Sequence, residues 1–267
     1  MQRTVYSEDH EAFRASVREF LDRSVWPNVD SYRENKALPR EYWLEAGRQG
    51  LLGLEIPEEF GGAGADDFRF NAVLSEELSR VNAAIPSCHG IHSDIVMPYL
   101  VKLGTQQQKE KWLPKGATGE AVFAIGMTEP SGGSDLAALK TTAVRDGDNW
   151  VLNGSKTFIT NGYSCDMVIV AARTSPEKKA RGISLFAVDT TLEGYSKGRK
   201  LDKVGQDEAD TAEMFFENIR LTDEDIIGEV DGGVAEDIHL ALSRIEARVQ
   251  AQQAAGALEA AIQMPLR

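Results

Sequence analysis

Nine residues, Met127-Thr-Glu-Pro-Ser-Gly-Gly-Ser-Asp135, gather one proline, two glycines, two acids and three hydroxyls directly after the apolar run Ala121-Val-Phe-Ala-Ile125. A strand that opens into Ser131-Gly-Gly-Ser134 presents main-chain N–H groups and hydroxyls with little side-chain bulk. That surface suits an anionic or heteroaromatic ligand lying against the backbone. The stretch also reads as a plain connecting loop. Its order is neither GxGxxG nor GxxxxGK[ST], which excludes the Rossmann and P-loop phosphate cradles. Lys156-Thr-Phe-Ile-Thr-Asn-Gly162 offers a complementary half. On an alternating strand Phe158 and Thr160 would project to one side, pairing an aromatic face with a hydroxyl.

Other reactive side chains have simpler readings. His89 and His92 lie three apart with no third ligand in sequence, so packing or capping is favoured and no metal site is expected. Cys88 and Cys165 lack metal-ligand spacing, and two cysteines do not make a disulfide framework, which fits a reducing compartment. Asp207-Glu-Ala-Asp210 reads as an exposed loop, Lys178-Lys179 as a solvated hairpin tip, and Trp26, Trp43, Trp112 and Trp150 as core or domain contacts.

The elements that position these groups follow from periodicity. Ser7 and the helical spacing of Phe13, Val17, Phe20, Leu21 and Val25 predict an amphipathic first helix. A second runs from about Pro39 to Gln49 and stops at Gly50. Glu58 to Ala65 is a loop. Phe70 to Leu78 forms a third helix and Ile91 to Leu103 a fourth, while Thr105 with Gln108 forms the capping box of a fifth.

After Gly119 the pattern changes to short strands, with Asp146-Gly147 and Asn153-Gly154 as hairpin turns. Strands at 167–172, 183–188 and 212–216 complete the set. The expected class is α+β and multidomain. It comprises an all-α domain over 1–120, an antiparallel β-barrel-like middle domain over 121–230, and the first helix of an all-α C-terminal domain over 231–267. One helix after a complete β domain implies a chain that stops partway through its third domain.

With 42 acids against 29 bases the formal charge is -13, which argues against nucleic acid or an anionic membrane as the main partner. The N-terminal stretch lacks the apolar core of a secretory signal, its acids argue against a transit peptide, and no apolar run spans a bilayer. The cytoplasm is the expected location.

Taken in order, the motifs resemble those of the acyl-CoA dehydrogenase family from about residue 6 to about residue 234. They are Gly50-Leu-Leu-Gly53 before Pro57-Glu-Glu-Phe-Gly-Gly62; Met127-Thr-Glu-Pro130 with Gly133-Ser-Asp135; Leu152-Asn-Gly-Ser-Lys156 with Ile159-Thr-Asn-Gly162; and Phe216-Glu-Asn-Ile-Arg220. Ile91 to Met97 and Gly182 to Phe186 look like the long-chain branch.

The resemblance implies FAD bound between the middle and C-terminal domains, an acyl-CoA thioester against the flavin, and an electron-transfer flavoprotein as electron acceptor. It also implies a homotetramer, as in intact relatives. Carried over, Ile125, Gly126, Met127, Thr128, Glu129, Pro130, Ser131, Gly132, Gly133 and Ser134 would line the flavin. Thr128 would sit near the ring's polar edge and Ser134 at the pyrophosphate. Phe158, Ile159 and Thr160 would cover the other side; relatives commonly carry Trp at the position of Phe158. Ser134, Ala180 and Arg181 match positions that meet CoA.

The reaction such enzymes perform, α,β-desaturation in fatty acid β-oxidation, needs a carboxylate base to remove the α-proton. In the helix where the long-chain type carries it, this chain reads Leu240-Ala-Leu-Ser-Arg-Ile-Glu-Ala-Arg248, placing Ser243 or Arg244 at that site. Glu246 is the nearest acid, two residues and roughly 200° further round the helix. Since the C-terminal domain would carry part of the FAD site and the chain stops partway through it, weak FAD retention is expected. The alternatives are a noncatalytic remnant that binds acyl-CoA or a partner subunit, and a related flavin oxidase or monooxygenase.

Overall fold

The computed structural model describes residues 5–133, 135 and 138–233. The expected C-terminal helix, with Ser243, Arg244 and Glu246, lies outside the described residues, as does Ser134.

The N-terminal half is helical. Helix α1 (Glu8–Phe20) starts at Ser7 and continues through a π-helical turn, Leu21–Val25. Helices α2 (Val29–Asn35), α3 (Arg40–Arg48), α4 (Arg69–Ser79), α5 (Ala84–Gly90), α6 (Met97–Leu103) and α7 (Gln106–Thr118) follow, with a second π-helical turn, Ile91–Val96, joining α5 to α6. The capping box of α7 forms as read: Thr105 Oγ1 accepts the Gln108 N–H at 3.2 Å and Gln108 Oε1 accepts the Thr105 N–H at 2.9 Å. This satisfies two helix-end N–H groups reciprocally.

Helix α1 is fastened to α4 by charge as well as by its apolar stripe. The Glu77 carboxylate is buried and accepts from Arg14 at 2.7 Å, Arg18 at 2.8 Å and Arg80 at 2.8 Å. Burial alone would raise its pKa, but the three guanidinium groups outweigh that and hold it at about 2.

The second half is a mixed sheet of eight strands: β1 (Phe123–Gly126), β2 (Thr142–Asp146), β3 (Asn149–Thr160), β4 (Met167–Arg173), β5 (Ile183–Asp189), β6 (Tyr195–Lys200), β7 (Thr211–Leu221) and β8 (Ile226–Ile227). Their order is β6-β7-β3-β2-β4-β5-β8, with β1 paired to β4. The sheet does not close into a barrel, and it is not wholly antiparallel. Strand β1 runs parallel to β4, and β2 meets β4 in parallel at Thr142 and Arg173. The direction of β1 is set where the two strands begin, since the Asp166 N–H donates to Val122 O at 2.8 Å and the Asp166 carboxylate accepts the Val122 N–H at 2.7 Å.

Asp146-Gly147 turns the chain between β2 and β3 as read, but Asn153-Gly154 does not. Strand β3 runs straight through it with a register shift against β7. Gly154 sits at φ +151, where a Cβ would fall 2.4 Å from Thr141 Oγ1, so only glycine fits the bulge. Asn153 brackets Asn218 on β7, accepting its N–H at 2.9 Å. A turn-forming dipeptide has become a local kink because both flanking stretches find partners on β7.

Two side-chain expectations also change. Trp43, Trp112 and Trp150 are buried, but Trp26 is 46% exposed. Asp207-Glu-Ala-Asp210 is largely buried rather than an exposed loop. Glu208 pairs with Arg33 at 3.0 Å, and Asp210 accepts the N–H groups of Tyr163 and Ser164 at 2.8 and 2.9 Å. Unsatisfied N–H groups needed an acceptor there, and the acids supply it.

Helical layer and sheet meet at Asn161. Its side chain, fully buried, donates from Nδ2 to Cys88 O on α5 at 2.9 Å and to Phe123 O on β1 at 3.2 Å. Its backbone is left-handed, at φ +60, a region asparagine tolerates better than most residues.

Candidate functional site

The stretch 127–133 leaves the end of β1 as a tight turn. The Glu129 N–H donates to Gly132 O at 3.0 Å and the Gly132 N–H returns to Glu129 O at 3.1 Å, with Pro130 at the second position. Pro130, Ser131, Gly132 and Gly133 are exposed, whereas Ile125, Met127 and Thr128 are half-buried and Gly126 is buried.

This turn is held against β3. The Thr157 N–H donates to Thr128 O at 2.9 Å. One residue earlier, the fully buried Lys156 donates from Nζ to Glu129 Oε1 at 3.0 Å and to Met127 O at 3.2 Å. Glu129 also accepts the N–H groups of Lys140 at 2.7 Å and Thr141 at 2.9 Å. Desolvation pushes the Lys156 ammonium down to about 8. It works against Glu129 too, but the Thr141 and Lys140 hydrogen bonds and the lysine charge keep that carboxylate at about 2. A buried ion pair with its remaining valences satisfied is rigid, and it fixes both ends of the turn. Gly126 leaves room for the lysine stem: a Cβ there would lie 3.2 Å from Lys156 Cγ.

Beside this clamp the strand breaks register again between Lys156 and Ile159. Phe158 takes φ +59 and stands 68% exposed. The extra residue breaks the alternation after the buried Lys156, so that Phe158 turns outward while Ile159 is buried in the sheet's core opposite Ala212. Thr160 is half-buried and pairs with Thr211. A large aromatic in the left-handed region costs roughly 1–2 kcal/mol and persists only where the surroundings impose it.

The structure therefore brings Thr128, the Ser131–Gly133 backbone and the Phe158 ring to one edge of the sheet. The main chain of Ile159 belongs to that edge, but its side chain does not. The Glu129 carboxylate is committed to Lys156 and the loop backbone.

Ala180 and Arg181 lie in the turn Pro176–Arg181 between β4 and β5, where Arg181 is exposed. Arg173 joins that turn to the segment that follows the glycines, donating from Nη1 to Lys179 O at 2.9 Å and from Nε to Leu139 O at 3.1 Å. Lys178 and Lys179 are exposed at the tip.

The histidines are structural. His92 Nδ1 accepts the Phe123 N–H at 3.0 Å, so its Nε2–H donates to Gly116 O at 3.1 Å. His89 bridges Leu51 O and the Tyr42 hydroxyl. Burial lowers them to about 3 and about 4. Among the described residues no group of three or more His, Cys, Asp or Glu could hold a metal. Sequence reasoning missed Lys156 and Arg173, whose roles depend on partners 27 and 34 positions away. The available signal was Glu129, an acid set in a glycine and serine turn with no charge partner nearby in sequence.

An edge with a flat exposed ring, an adjoining hydroxyl and a side-chain-poor backbone leaves room for a planar group to lie against the main chain. Residues 7–120 match the model of the acyl-CoA dehydrogenase N-terminal domain and residues 124–219 that of the middle domain. The chain belongs to the acyl-CoA dehydrogenase family.

Among the relatives of this chain, the mouse mitochondrial long-chain specific acyl-CoA dehydrogenase is 46% identical over 233 residues, covering 86% of this chain and 54% of that protein. The crystal structure of an acyl-CoA dehydrogenase from Geobacillus kaustophilus superposes with a TM-score of 0.86 at 41% identity, over 90% of this chain and 63% of that one. A Bacillus anthracis acyl-CoA dehydrogenase complexed with FAD gives 0.81 at 31% identity, over 88% and 40%. The chain spans about half the length of the curated relatives it matches.

Proposed function

We propose that this chain supplies the helical and β portions of a flavin-dependent acyl-CoA dehydrogenase, which forms the α,β double bond of a fatty acyl-CoA and passes electrons to an electron-transfer flavoprotein. The observation that carries the reading is the hydrogen bond from the Thr157 N–H to Thr128 O, which puts the exposed ring of Phe158 beside the side-chain-poor turn. Bound FAD would supply the hydride acceptor.

The residues of the chain bind and orient. Phe158 offers an aromatic face, the Thr128 hydroxyl and the backbone from Ile125 to Gly133 offer hydrogen bonds to a polar rim, and Lys156 keeps the two halves in register. We assign Ser134 to the pyrophosphate, and Ser134, Ala180 and Arg181 to the CoA moiety. A homotetramer, as in intact relatives, completes the reading.

Removal of the α-proton falls to Glu246 in this proposal. A second reading, a chain that binds acyl-CoA without turning it over, is favoured by the sequence at 243–244, where Ser and Arg occupy the place of the expected carboxylate.

Anaerobic mixing of the FAD-reconstituted chain with palmitoyl-CoA separates the two. Bleaching of the flavin absorbance indicates desaturation, and binding with unchanged absorbance indicates the noncatalytic reading. Failure to bind FAD at any concentration defeats the dehydrogenase reading and leaves the noncatalytic one.

A further inference from the structure

Away from the sheet edge, the helical layer carries a half-open cavity of about 400 Å³ between the segment 52–66, α4, the second π-helical turn and α6. Its walls are largely apolar, with Leu54, Ile56, Met97 and Val101 among them. Asn71 and Ser93, only 4% and 9% exposed, line its buried part, while Glu55, Asp66 and Lys102 also line it, the last two at its exposed side.

Neither Asn71 Oδ1 nor Ser93 Oγ has a hydrogen-bond partner. The amide of Asn71 cannot simply turn round, because its Nδ2 donates to Asp94 Oδ1 at 2.7 Å. The cavity therefore presents a fixed acceptor together with a hydroxyl that can give or take. A buried polar atom left unmatched is destabilising, and a complementary ligand head would satisfy it. Ser93 is carried by a π-helical turn, a distortion that recurs at binding sites.

We propose that this cavity binds a neutral amphiphile, an aliphatic chain ending in a primary alcohol or primary amide. The volume accommodates about a dozen heavy atoms at roughly 30 Å³ each. The head donates to Asn71 Oδ1 and accepts from the Ser93 hydroxyl, and the tail lies against Leu54, Ile56, Met97 and Val101. A carboxylate head is rejected at this buried end, since it would place a second acceptor against Asn71 Oδ1 with the Asp94 carboxylate just behind, and the lining cation, Lys102, is at the exposed side. The site shares no residue with the edge formed by Thr128 and Phe158, so it stands whether or not the flavin reading holds.

Calorimetric titration of the full 267-residue chain with 1-octanol, 1-fluorooctane and octanoate tests it. Saturable binding of 1-octanol is expected, with 1-fluorooctane, which keeps the shape and loses the donor, at least tenfold weaker and octanoate silent. Val101→Trp, which fills the cavity, is expected to abolish 1-octanol binding while the chain stays folded by circular dichroism. Equal affinity for the alcohol and the fluoride, saturable binding of octanoate, no saturable heat with 1-octanol, or unchanged 1-octanol binding by folded Val101→Trp each overturn the proposal. Should Val101→Trp not fold, the three-ligand comparison on the unaltered chain decides.

Discussion

Lys156 Nζ lies 3.0 Å from Glu129 Oε1, with both side chains almost wholly removed from solvent. This pair joins a turn at the end of β1 to the middle of β3, and the neighbouring residues Thr128 and Phe158 inherit their placement from it.

Removing one partner leaves the other charge buried and alone. Lys156→Met is expected to destabilise the chain by about 3–5 kcal/mol in urea unfolding. The double variant Lys156→Met/Glu129→Gln should cost clearly less than the sum of the two single changes, giving a coupling measurable in a double-mutant cycle. Additive losses would show that the pair does not act as a unit.

Phe158 separates stability from binding. Its ring is exposed and its backbone sits at φ +59, so Phe158→Gly relieves the backbone while removing few contacts. Stability should change by no more than about 1 kcal/mol. FAD affinity, followed by quenching of flavin fluorescence, should fall at least tenfold. A large loss of stability with unchanged FAD affinity would assign the ring to the fold instead.

Acid should unfold the chain through its paired glutamates. Glu77 and Glu129 each titrate at about 2 when folded, well below an ordinary glutamate. Between about pH 4.5 and 2 the unfolded chain therefore binds more protons, and stability falls as pH drops through that window. Both contributions are fully present above the unfolded value. Glu77→Gln should lower stability at pH 7 and flatten the pH dependence between 4.5 and 2, as read by Tm against pH. An unchanged slope would remove Glu77 from the account.

Asn161 combines a left-handed backbone with two donated hydrogen bonds. Asn161→Ala loses both features and should cost about 2–4 kcal/mol, whereas Asn161→Gly keeps the backbone freedom and should recover about 1 kcal/mol of that loss. Equal Tm values for the two variants would show that the backbone conformation contributes nothing.

Local rules carried the parts of the molecule that local chemistry decides. The Thr105 and Gln108 caps and the Gly147 turn formed as read, because each is settled within four residues. Asn153-Gly154 obeys the same turn preference, yet β7 offers partners on both sides of it and the strand continues. Phe158 is exposed, Ile159 buried and Thr160 half-buried, as alternation allows, but the bulge that turns Phe158 away from the side taken by Lys156 is one that no spacing announces. The segments that meet at the sheet edge were legible from their composition. What holds them was not, because Lys156 in a strand resembles any solvated lysine until Glu129 is seen beside it, and Arg173 finds its carbonyl partners only once β4 is placed.

The amide of Asn161 grips one carbonyl from each layer at once, so a single side chain ties the helices to the first strand, and whatever shifts one layer there must break a hydrogen bond to the other.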